Sequence, residues 1–399
     1  LLAPLRRGAN PFDGAPKLPR ESVFVEPSVV VEVEFTEWTR EGVMRAPSYK
    51  GLREDKDARE VVREVVVAGA GAGDGDGDAD GVDGEAPAPD SPEALFDEVT
   101  PQPDGSLSVV CDGRRLKLSN WDKVLFPASG FTKGDLIAYY ARIAPAVVPH
   151  LRDRALTLKR YPSGVDAPYF YEKQSPSHRP DWVQTARVGD VDYTLAQDRA
   201  ALVWLANLAD VELHTSLSLA DAPHRPTMMV FDLDPGAPAG LLECAEVALV
   251  LRGLFEQLRL DCAVKTSGSK GLQVYVPLNR EVTYAQTKPF ARRVAELLEQ
   301  RLPELVISRM TKRLRAGKVL VDWSQNDAHK TTVTVYSVRA RERPTVSTPV
   351  QWDEVQRARA DGDASALSFE TDQVLARFAQ HGDLFASVLD TVQALPTVS

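Results

Sequence analysis

The segment of residues 67–106 limits the possible folds most, because it offers almost nothing to a hydrophobic core. It consists mostly of Ala, Gly, Asp and Pro, and from Gly69 to Glu98 it has ten acidic residues and no Lys or Arg. A segment of this composition cannot bury enough apolar surface to offset its conformational entropy. We therefore expect three parts: residues 1–66, a disordered acidic linker at 67–106, and a domain at 107–399.

The composition of the chain excludes several classes of protein. Of the 57 acidic residues ten lie in the acidic stretch, and the other 47 balance the 47 Lys and Arg, so the net charge of −10 does not exclude a nucleic-acid partner. No apolar stretch is long enough to span a membrane. The three cysteines form no CxxC pair, which favours a cytoplasmic protein without a disulfide framework or structural zinc.

Calcium binding is the alternative interpretation of the acidic segment. Five acidic residues occupy positions 1, 3, 5, 7 and 12 of a calcium-loop register, namely Asp74, Asp76, Asp78, Asp80 and Glu85. The glycine required at position 6 is replaced by Ala79, and no amphipathic helix flanks the segment. The pattern therefore favours a linker.

The periodicity of the chain predicts two folded regions of different character. In residues 1–66 the β-branched run at 29–35 predicts a strand, which we interpret as the end of a β-rich domain. Residues 107–399 interleave helical and strand patterns without repeated βαβ spacing, which predicts one mixed α/β or α+β domain. The predicted helices are 133–151, 241–258, 284–302 and 371–395, and the predicted strands are 156–161, 228–233, 262–265, 272–277 and 318–323.

Three aspartates on two predicted strands form the sharpest local signal. The run M-M-V-F-D-L-D-P-G at 228–236 predicts a buried strand that ends in a turn, with Asp232 and Asp234 on one face. A second apolar strand at 318–323 carries Asp322. Three carboxylates there would bind two Mg²⁺ or Mn²⁺ ions for phosphoryl transfer. The alternative, a structural Asp-Pro-Gly turn, stays open at this point.

Small residues and cations surround this acidic set in the sequence. The segment V-K-T-S-G-S-K-G-L at 264–272 suits phosphate binding by Lys270 and backbone N–H groups, although a plain hairpin turn is the alternative. Lys159 and the aromatic residues at 169–171 suit base stacking, or else an aromatic hairpin in the core. The basic run at 309–318 would bring positive charge to a triphosphate, and His214 is either structural or functional.

Taken together, these motifs resemble the polymerase domain of the bacterial LigD-type end-joining ligases, a branch of the archaeo-eukaryotic primase superfamily. The resemblance covers residues ~115 to 395 and includes L-S-N-W-D-K-V-L-F-P, F-T-K-G-D-L, V-F-D-L-D-P-G, T-S-G-S-K-G-L and L-V-D-W-S-Q-N. It implies an α+β, primase-like domain with central β-sheets flanked by helices. It also implies a template-directed DNA/RNA polymerase that fills gaps and ends in bacterial non-homologous end joining.

The resemblance assigns roles to individual residues. The metal ligands would be Asp232, Asp234 and Asp322, with His214 as an active-site histidine. The nucleotide-binding residues would be Ser267, Lys270, Gln273, Arg315, Arg339, Lys159, Phe170 and Tyr171. Lys123 and Lys133 would hold the 5′-phosphate of a gap or broken end. Where many relatives have histidine this chain has Gln273, which offers only neutral hydrogen bonds.

Residues 1–66 resemble the end of the OB-fold of an ATP-dependent ligase, on the segments 29–38 and 45–56. Lys50, Arg53 and Lys56 would be the remnant of the last ligase motif, whose cations orient ATP. The sequence has no K-x-D-G motif to supply the nucleophilic lysine, so we do not expect the chain to seal nicks unaided. We expect a fragment of a longer protein that carries the ligase domain.

The resemblance also implies cofactors and partners. These are two Mn²⁺ or Mg²⁺ ions, a nucleoside triphosphate with ribonucleotides preferred, gapped or broken DNA with a 5′-phosphate, and a Ku-type end-binding protein. The location would be the bacterial cytoplasm, with no membrane partner. Two alternatives remain: a ligase fragment that joins nicks, and a non-catalytic module that binds DNA ends, which the replacement at Gln273 motivates.

Overall fold

A computed structural model describes residues 6–7, 23–26, 31–34, 48–52 and 88–396. The chain divides into two compact units, residues 1–83 and residues 84–399. Most of the predicted linker, residues 67–87, and with it the calcium-loop pattern, lies outside the described residues.

The described part of the first unit consists of two antiparallel strand pairs. They are β1 (Arg6–Arg7) with β2 (Phe24–Val25), and β3 (Val31–Glu34) with β4 (Ser48–Leu52). The strand predicted at 29–35 is thus confirmed over β3. Of the ligase-motif residues, Lys50 lies in β4, whereas Arg53 and Lys56 lie outside the described residues. The OB-fold itself stays a prediction.

The second unit is a mixed domain of helices and strands. Its strands are β5 (Glu98–Pro101), β6 (Leu107–Cys111), β7 (Arg114–Leu118), β8 (Val124–Phe126), β9 (Phe131–Thr132), β10 (Leu156–Arg160), β11 (Phe170–Glu172), β12 (Thr185–Val188), β13 (Val191–Thr194), β14 (Asp210–Thr215), β15 (Met228–Pro235), β16 (Ala263–Thr266), β17 (Leu272–Pro277), β18 (Val306–Ile307), β19 (Val319–Asp322), β20 (Thr332–Val333) and β21 (Pro349–Val350). Its α-helices are α1 (Pro92–Leu95), α2 (Lys133–Leu151), α3 (Arg199–Asn207), α4 (Leu241–Gln257), α5 (Tyr284–Arg301), α6 (Trp352–Asp361), α7 (Thr371–His381) and α8 (Ser387–Asp390).

A six-stranded sheet in the order β18-β19-β15-β17-β16-β21 forms one half of this domain. All of its pairs are antiparallel except β18 with β19. Alternate residues of β15, such as Phe231 and Leu233, pack in one core with the apolar sides of α4, α5 and α6. Since side chains alternate along a strand, the residues between them face away from these helices.

A four-stranded sheet in the order β11-β10-β14-β20 forms the other half. Leu156 and Leu158 of β10 share a second core with Leu213 of β14 and the buried sides of α2 and α3. Lys159 of β10 and Glu212 and His214 of β14 alternate with these leucine positions. They therefore lie on the opposite face of the sheet.

Buried polar contacts join the two sheets. The hydroxyl groups of Tyr275 on β17 and Thr332 on β20 are hydrogen bonded at 3.0 Å. The side chain of Asn326, just beyond β19, donates to the carbonyl of Val230 at 2.7 Å and accepts from the backbone N–H of Val230 at 3.0 Å. It therefore connects the turn after β19 to β15.

Smaller elements complete the domain: the three-stranded sheet β5-β6-β7 and the hairpins β8–β9 and β12–β13.

Most of the predicted elements are present, but one helix is wrong. The helix predicted at 371–395 ends at His381 because Gly382 adopts a positive φ (+67°) that favours glycine and leaves the helical conformation, and a separate short helix, α8, follows. The helix at 133–151 is confirmed to the residue, and those at 241–258 and 284–302 end one residue earlier than predicted. None of the described helices is both long and apolar enough to cross a membrane.

Ordered structure also begins within the segment that the composition assigns to the linker. Ser91 caps α1 by accepting a hydrogen bond from the backbone N–H of Ala94, and Leu95 and Phe96 are buried in the core. β5 follows and pairs with β6. The structure thus differs from the prediction at residues 88–106, because one apolar pair anchors an otherwise polar stretch.

Candidate active site

Asp232 and Asp234 lie on the same side of β15, on the face that the helices do not cover. Asp232 is partly buried and Asp234 is exposed, while Leu233 between them is buried in the helix-covered core. Across the neighbouring antiparallel strand, Asp322 of β19 is the direct partner of Asp232. The sheet register therefore brings the three predicted aspartates to one face.

The electrostatics of this face are unfavourable for carboxylates without a counter-charge. Burial, with the nearby charge of Asp234, raises the pKa of Asp232 to about 7. Burial and the charge of Asp322 also raise the pKa of Asp234. A divalent cation would relieve this repulsion, and carboxylate oxygens are the ligands that Mg²⁺ and Mn²⁺ prefer. By its chemistry the donor set fits such an ion.

The side chain of Asp322 is held by the turn that follows it. Its Oδ1 accepts from the backbone N–H and the hydroxyl of Ser324, at 2.9 and 2.6 Å, and its Oδ2 accepts from the amide of Gln325 at 3.0 Å. Within the described part of the chain, no three His, Cys, Asp or Glu side chains are arranged to enclose one ion. Joint coordination of one ion by the three carboxylates therefore requires side chains of this set to reorient.

A cavity of about 420 Å³ opens in front of Asp232 and Asp234. The predicted active-site histidine, His214, lines the same cavity, together with five of the predicted nucleotide-binding residues, namely Ser267, Lys270, Gln273, Arg315 and Arg339. Cationic and carboxylate side chains thus share one space. Such a space suits a triphosphate held next to metal-binding carboxylates.

The loop between β16 and β17 supplies one wall of the cavity. Ser267 Oγ accepts from the backbone N–H groups of Ser269 and Gly271, at 3.3 and 3.2 Å, which fixes the loop, while Lys270 is exposed. A Cβ atom on Gly271 would lie 1.9 Å from the carbonyl oxygen of Leu233. Glycine is therefore required for this loop to approach the strand that carries the aspartates.

Arg315 reaches the cavity from the turn before β19. A Cβ atom on Gly236 would lie 2.0 Å from the carbonyl oxygen of Arg315, so the Asp-Pro-Gly turn and this basic turn touch backbone to backbone. The Arg315 guanidinium donates to the carbonyl of Met310 at 2.8 Å. Its charge counteracts the rise in the pKa of Asp234.

Glu212 organises the cations on the other wall. Its carboxylate accepts from His214 Nε2 at 3.0 Å and lies 3.5 Å from Arg339 Nε and 3.7 Å from Lys159 Nζ. Burial opposes ionisation of Glu212, but the hydrogen bond from His214 and the charges of Arg339 and Lys159 outweigh it and lower its pKa to about 2. Burial lowers the pKa of His214, whose Nε2 is the ring nitrogen that contacts Glu212.

An exposed group of aromatic rings lies beside these cations. Tyr169, Phe170 and Tyr171 are 49%, 40% and 59% exposed, which excludes the alternative that they form part of the core. The ammonium of Lys159 lies 4.0 Å from the centroid of the Tyr169 ring, and the guanidinium of Arg160 lies 5.1 Å from that of Phe170. The strands β10 and β11 hold Lys159 directly opposite Tyr171.

Lys123 and Lys133 are neighbours in a separate place, since neither lines the cavity. The backbone N–H of Lys133 donates to the carbonyl of Lys123 at 2.8 Å. Lys133 is the first residue of α2, which Thr132 caps, and its ammonium donates to the hydroxyl of Ser119 at 3.3 Å. Burial, with the charges of Lys123 and Arg160, lowers the pKa of Lys133 to about 8. Two lysines and the N-terminus of a 19-residue helix suit an anion.

Comparison with known proteins identifies the family. The model of the LigD primase-polymerase domain matches residues 132–385. The chain belongs to this family. The model of the C-terminal region of ATP-dependent DNA ligases matches residues 1–56. The domain is therefore of the nucleotidyltransferase class, and the predicted primase-like fold is confirmed.

Curated relatives support the family and extend well beyond this chain. The multifunctional non-homologous end joining protein LigD of Mycolicibacterium smegmatis is 44% identical over 278 residues, which are 68% of this chain and 36% of that protein. The LigD protein of Pseudomonas aeruginosa is 32% identical over 366 residues, which are 89% of this chain and 40% of that protein. The chain thus spans less than half the length of these relatives.

A solved structure also matches the chain. The polymerase domain of Mycobacterium tuberculosis Ligase D in complex with DNA superposes with a TM-score of 0.65 at 40% identity, over 70% of this chain and 99% of that chain. At this identity the likeness supports the fold and the family together.

Sequence reasoning missed four residues that shape the site. Arg341 and Gln325 line the cavity, and Glu212 and Lys265 organise its walls. Glu212 stands two residues before His214 on β14, so the alternation of a strand could have indicated it. Arg341 lies outside the strands, where no such period applies. Lys265 gives no such signal, because a lysine within a short apolar run resembles the solvated end of a strand.

Proposed function

We propose that the domain is a template-directed nucleotidyl transferase, a polymerase that extends a DNA 3′-hydroxyl at gaps and broken ends in non-homologous end joining. The observation that carries the proposal is one cavity of about 420 Å³ in which Asp232 and Asp234 face Lys270, Arg315 and Arg339. A nucleoside triphosphate is the substrate that such a combination of carboxylates and cations suits best.

Asp232, Asp234 and Asp322 would hold the divalent cations, Mn²⁺ or Mg²⁺. When bound, two such ions stabilise the attacking and the leaving oxygen of phosphoryl transfer. The protein contributes rigid placement of the ligands, since Asp232 and Asp322 lie on paired strands of a sheet. A preference for Mn²⁺ and for ribonucleotides is part of the proposal and rests on the family resemblance.

The cationic walls would orient the triphosphate. Lys270 is exposed towards the cavity, whereas the guanidinium of Arg339 is fixed by its hydrogen bond to the carbonyl of Ser267 and by Glu212. A fixed guanidinium binds phosphate oxygens with little loss of conformational entropy. The imidazole of His214, oriented by Glu212, would hydrogen bond to the nucleotide through its other ring nitrogen.

The exposed aromatic group would support the bases. Phe170 and Tyr171 offer ring faces for stacking, and Lys159 and Arg160 lie beside them to meet phosphate groups. The aromatic group adjoins the wall of the cavity because Lys159, which lies beside it, contacts Glu212. It therefore suits the incoming nucleotide and the template base that pairs with it.

Lys123 and Lys133 would bind the 5′-phosphate on the downstream side of a gap or at a broken end. Their separation from the cavity is what this role requires, because the 5′-phosphate is not the reacting group. A Ku-type end-binding protein and the ligase domain of a parent chain would be the protein partners. DNA as partner is supported by the solved relative, which was determined in complex with DNA.

Nick sealing by this chain alone is not favoured, because the ligase match covers only residues 1–56 and the sequence has no K-x-D-G motif. Covalent AMP on the chain after incubation with labelled ATP would revive that alternative. A non-catalytic module that binds DNA ends is the other alternative, and it predicts 5′-phosphate-dependent binding without incorporation at any metal concentration.

Primer extension on a gapped duplex with a 5′-phosphate tests the proposal. The wild-type chain is expected to add template-paired nucleotides with Mn²⁺ or Mg²⁺, and both ribonucleotides and deoxyribonucleotides should be supplied. Asp232→Ala and Asp234→Ala should abolish extension while gel-shift binding of the same duplex survives. Extension by either variant, or none by the wild type with either metal, would contradict the proposal.

A further inference from the structure

Four polar residues form one row across the six-stranded sheet. Lys265 on β16 is the cross-strand partner of Gln273 on β17, Gln273 is the partner of Asp232 on β15, and Asp232 is the partner of Asp322 on β19. All four lie on the face away from the helices, because their neighbours Val264, Leu272, Val274 and Val321 are buried in the helix-covered core. A lysine thus begins the row, an amide follows, and two carboxylates end it.

Lys265 is fully buried, with 0% of its surface exposed. Its ammonium donates to Gln273 Oε1 at 2.6 Å, Ser347 Oγ at 2.6 Å and the carbonyl of Val333 at 3.1 Å. All three acceptors are neutral, and no carboxylate among the described residues forms an ion pair with this lysine. An ammonium group so deeply buried is costly, so a lysine here is unexpected on grounds of stability alone.

The lysine fixes which way the amide of Gln273 points. An ammonium can only donate hydrogen bonds, so the amide oxygen of Gln273 must face Lys265. The amide nitrogen then faces β15 and donates to Asp232 Oδ1 at 3.0 Å. The reversed amide would set its NH₂ against the ammonium and its oxygen against the carboxylate, which are both repulsive contacts.

We infer that Lys265 is a positioning residue, which acts through Gln273 to hold the Asp232 carboxylate in the orientation that binds a divalent cation. The bond from Gln273 occupies Asp232 Oδ1 and leaves Oδ2 for a ligand in the cavity. Partners behind a metal ligand orient it in this way. The inference rests on the proposed function only in assigning Asp232 as a metal ligand.

Lys265→Met tests this inference, because methionine is of similar length and cannot donate a hydrogen bond. The affinity for Mn²⁺, measured by electron paramagnetic resonance on the nucleotide-free chain, is expected to fall by about 10- to 100-fold, the usual effect of losing such a partner. In primer extension kcat should fall while KM for the DNA stays the same. Lys117→Met serves as the control, since Lys117 is a surface lysine paired with Asp104, and it should retain wild-type values.

Gln273→Met removes the amide that links Lys265 to Asp232. The double variant shows whether Lys265 acts on Mn²⁺ binding through this amide or independently of it. If Lys265 acts through Gln273, the double variant Lys265→Met/Gln273→Met binds Mn²⁺ no more weakly than Gln273→Met alone. Additive losses would overturn the inference. So would wild-type Mn²⁺ affinity in a folded Lys265→Met variant, with folding checked by circular dichroism.

Failure of this inference can be told from failure of the proposed function. If the wild type extends primers and Lys265→Met binds Mn²⁺ as the wild type does, only the inference is wrong. If the wild type extends no primer, the proposed function is wrong. The ratio of Mn²⁺ affinities between the variants then still decides whether Lys265 positions Asp232. If Lys265→Met does not fold, the Mn²⁺ affinity of Gln273→Met decides, and a wild-type value overturns the inference.

Discussion

Asp232 and Asp322, 90 residues apart in the sequence, are direct cross-strand partners on β15 and β19. Each is already engaged: Asp232 accepts from Gln273, and Asp322 accepts from Ser324 and Gln325. The candidate metal site therefore consists of carboxylates whose positions are set by the sheet and whose orientations are set by neighbouring amides and hydroxyls.

Asp322→Asn is expected to lower primer extension on the order of 10³-fold, because a metal site worth several kcal/mol loses one anionic ligand. The rate is measured by single-turnover extension on a gapped duplex. Asp327→Asn is the matched control, because Asp327 lies five residues further on, pairs with Lys288 and is not a cross-strand partner of β15. Equal rates for both variants would remove Asp322 from the site.

Stability should fall with rising pH because of Asp232. Its pKa is raised from 3.8 to about 7. Between these two pH values the folded chain therefore keeps a proton on Asp232 that the unfolded chain has released. The stability that this proton contributes is fully present below pH 3.8 and is lost as the pH rises through about 7. Asp232→Asn should remove this loss, so the Tm of the variant should rise relative to the wild type across that window. A constant difference in Tm from pH 4 to 8, in calorimetry, would contradict the assignment.

Lys133→Ala should weaken binding to gapped DNA by about 10- to 100-fold, the range for losing a hydrogen bond to a charged group. The affinity should fall only for a duplex with a 5′-phosphate. A duplex with a 5′-hydroxyl should bind the wild type and Lys133→Ala with equal affinity. Fluorescence anisotropy with the two duplexes measures this. Lys117→Ala controls for the loss of one positive charge. An equal loss on both duplexes would indicate a general electrostatic role.

Tyr171→Ala should raise the KM for the incoming nucleotide by about 5- to 100-fold, since stacking on one aromatic ring contributes about 1–3 kcal/mol. Tyr171→Phe keeps the ring and should keep the wild-type KM. Steady-state incorporation of a single nucleotide measures both variants. If the KM of Tyr171→Phe rises as much as that of Tyr171→Ala, the hydroxyl of Tyr171 and not its ring face contacts the incoming nucleotide.

The parts of the site that follow local patterns could be predicted from the sequence. Two short apolar runs predicted the strands of Asp232 and Asp322, and both strands are present. The small-residue loop after Lys265 joins two strands, as predicted, and Lys270 on it reaches the cavity. These predictions held because strand alternation and tight turns are decided within a few residues.

The parts that depend on long-range contacts could not be predicted. A lysine in A-V-K-T gives no sign of full burial, since its three acceptors lie 8, 68 and 82 residues away in the sequence. The helix predicted at 371–395 overlooked Gly382, which favours a helix end. The apolar pair Leu95 and Phe96 likewise finds its core only in the folded domain.

Anomalous diffraction from crystals of the chain grown with Mn²⁺ and a non-hydrolysable nucleoside triphosphate tests the central claim most directly. We expect Mn²⁺ peaks in contact with Asp232, Asp234 and Asp322, and the triphosphate facing Lys270, Arg315 and Arg339. Peaks away from β15, or Mn²⁺ in the cavity without contact to Asp322, would contradict a shared three-carboxylate centre.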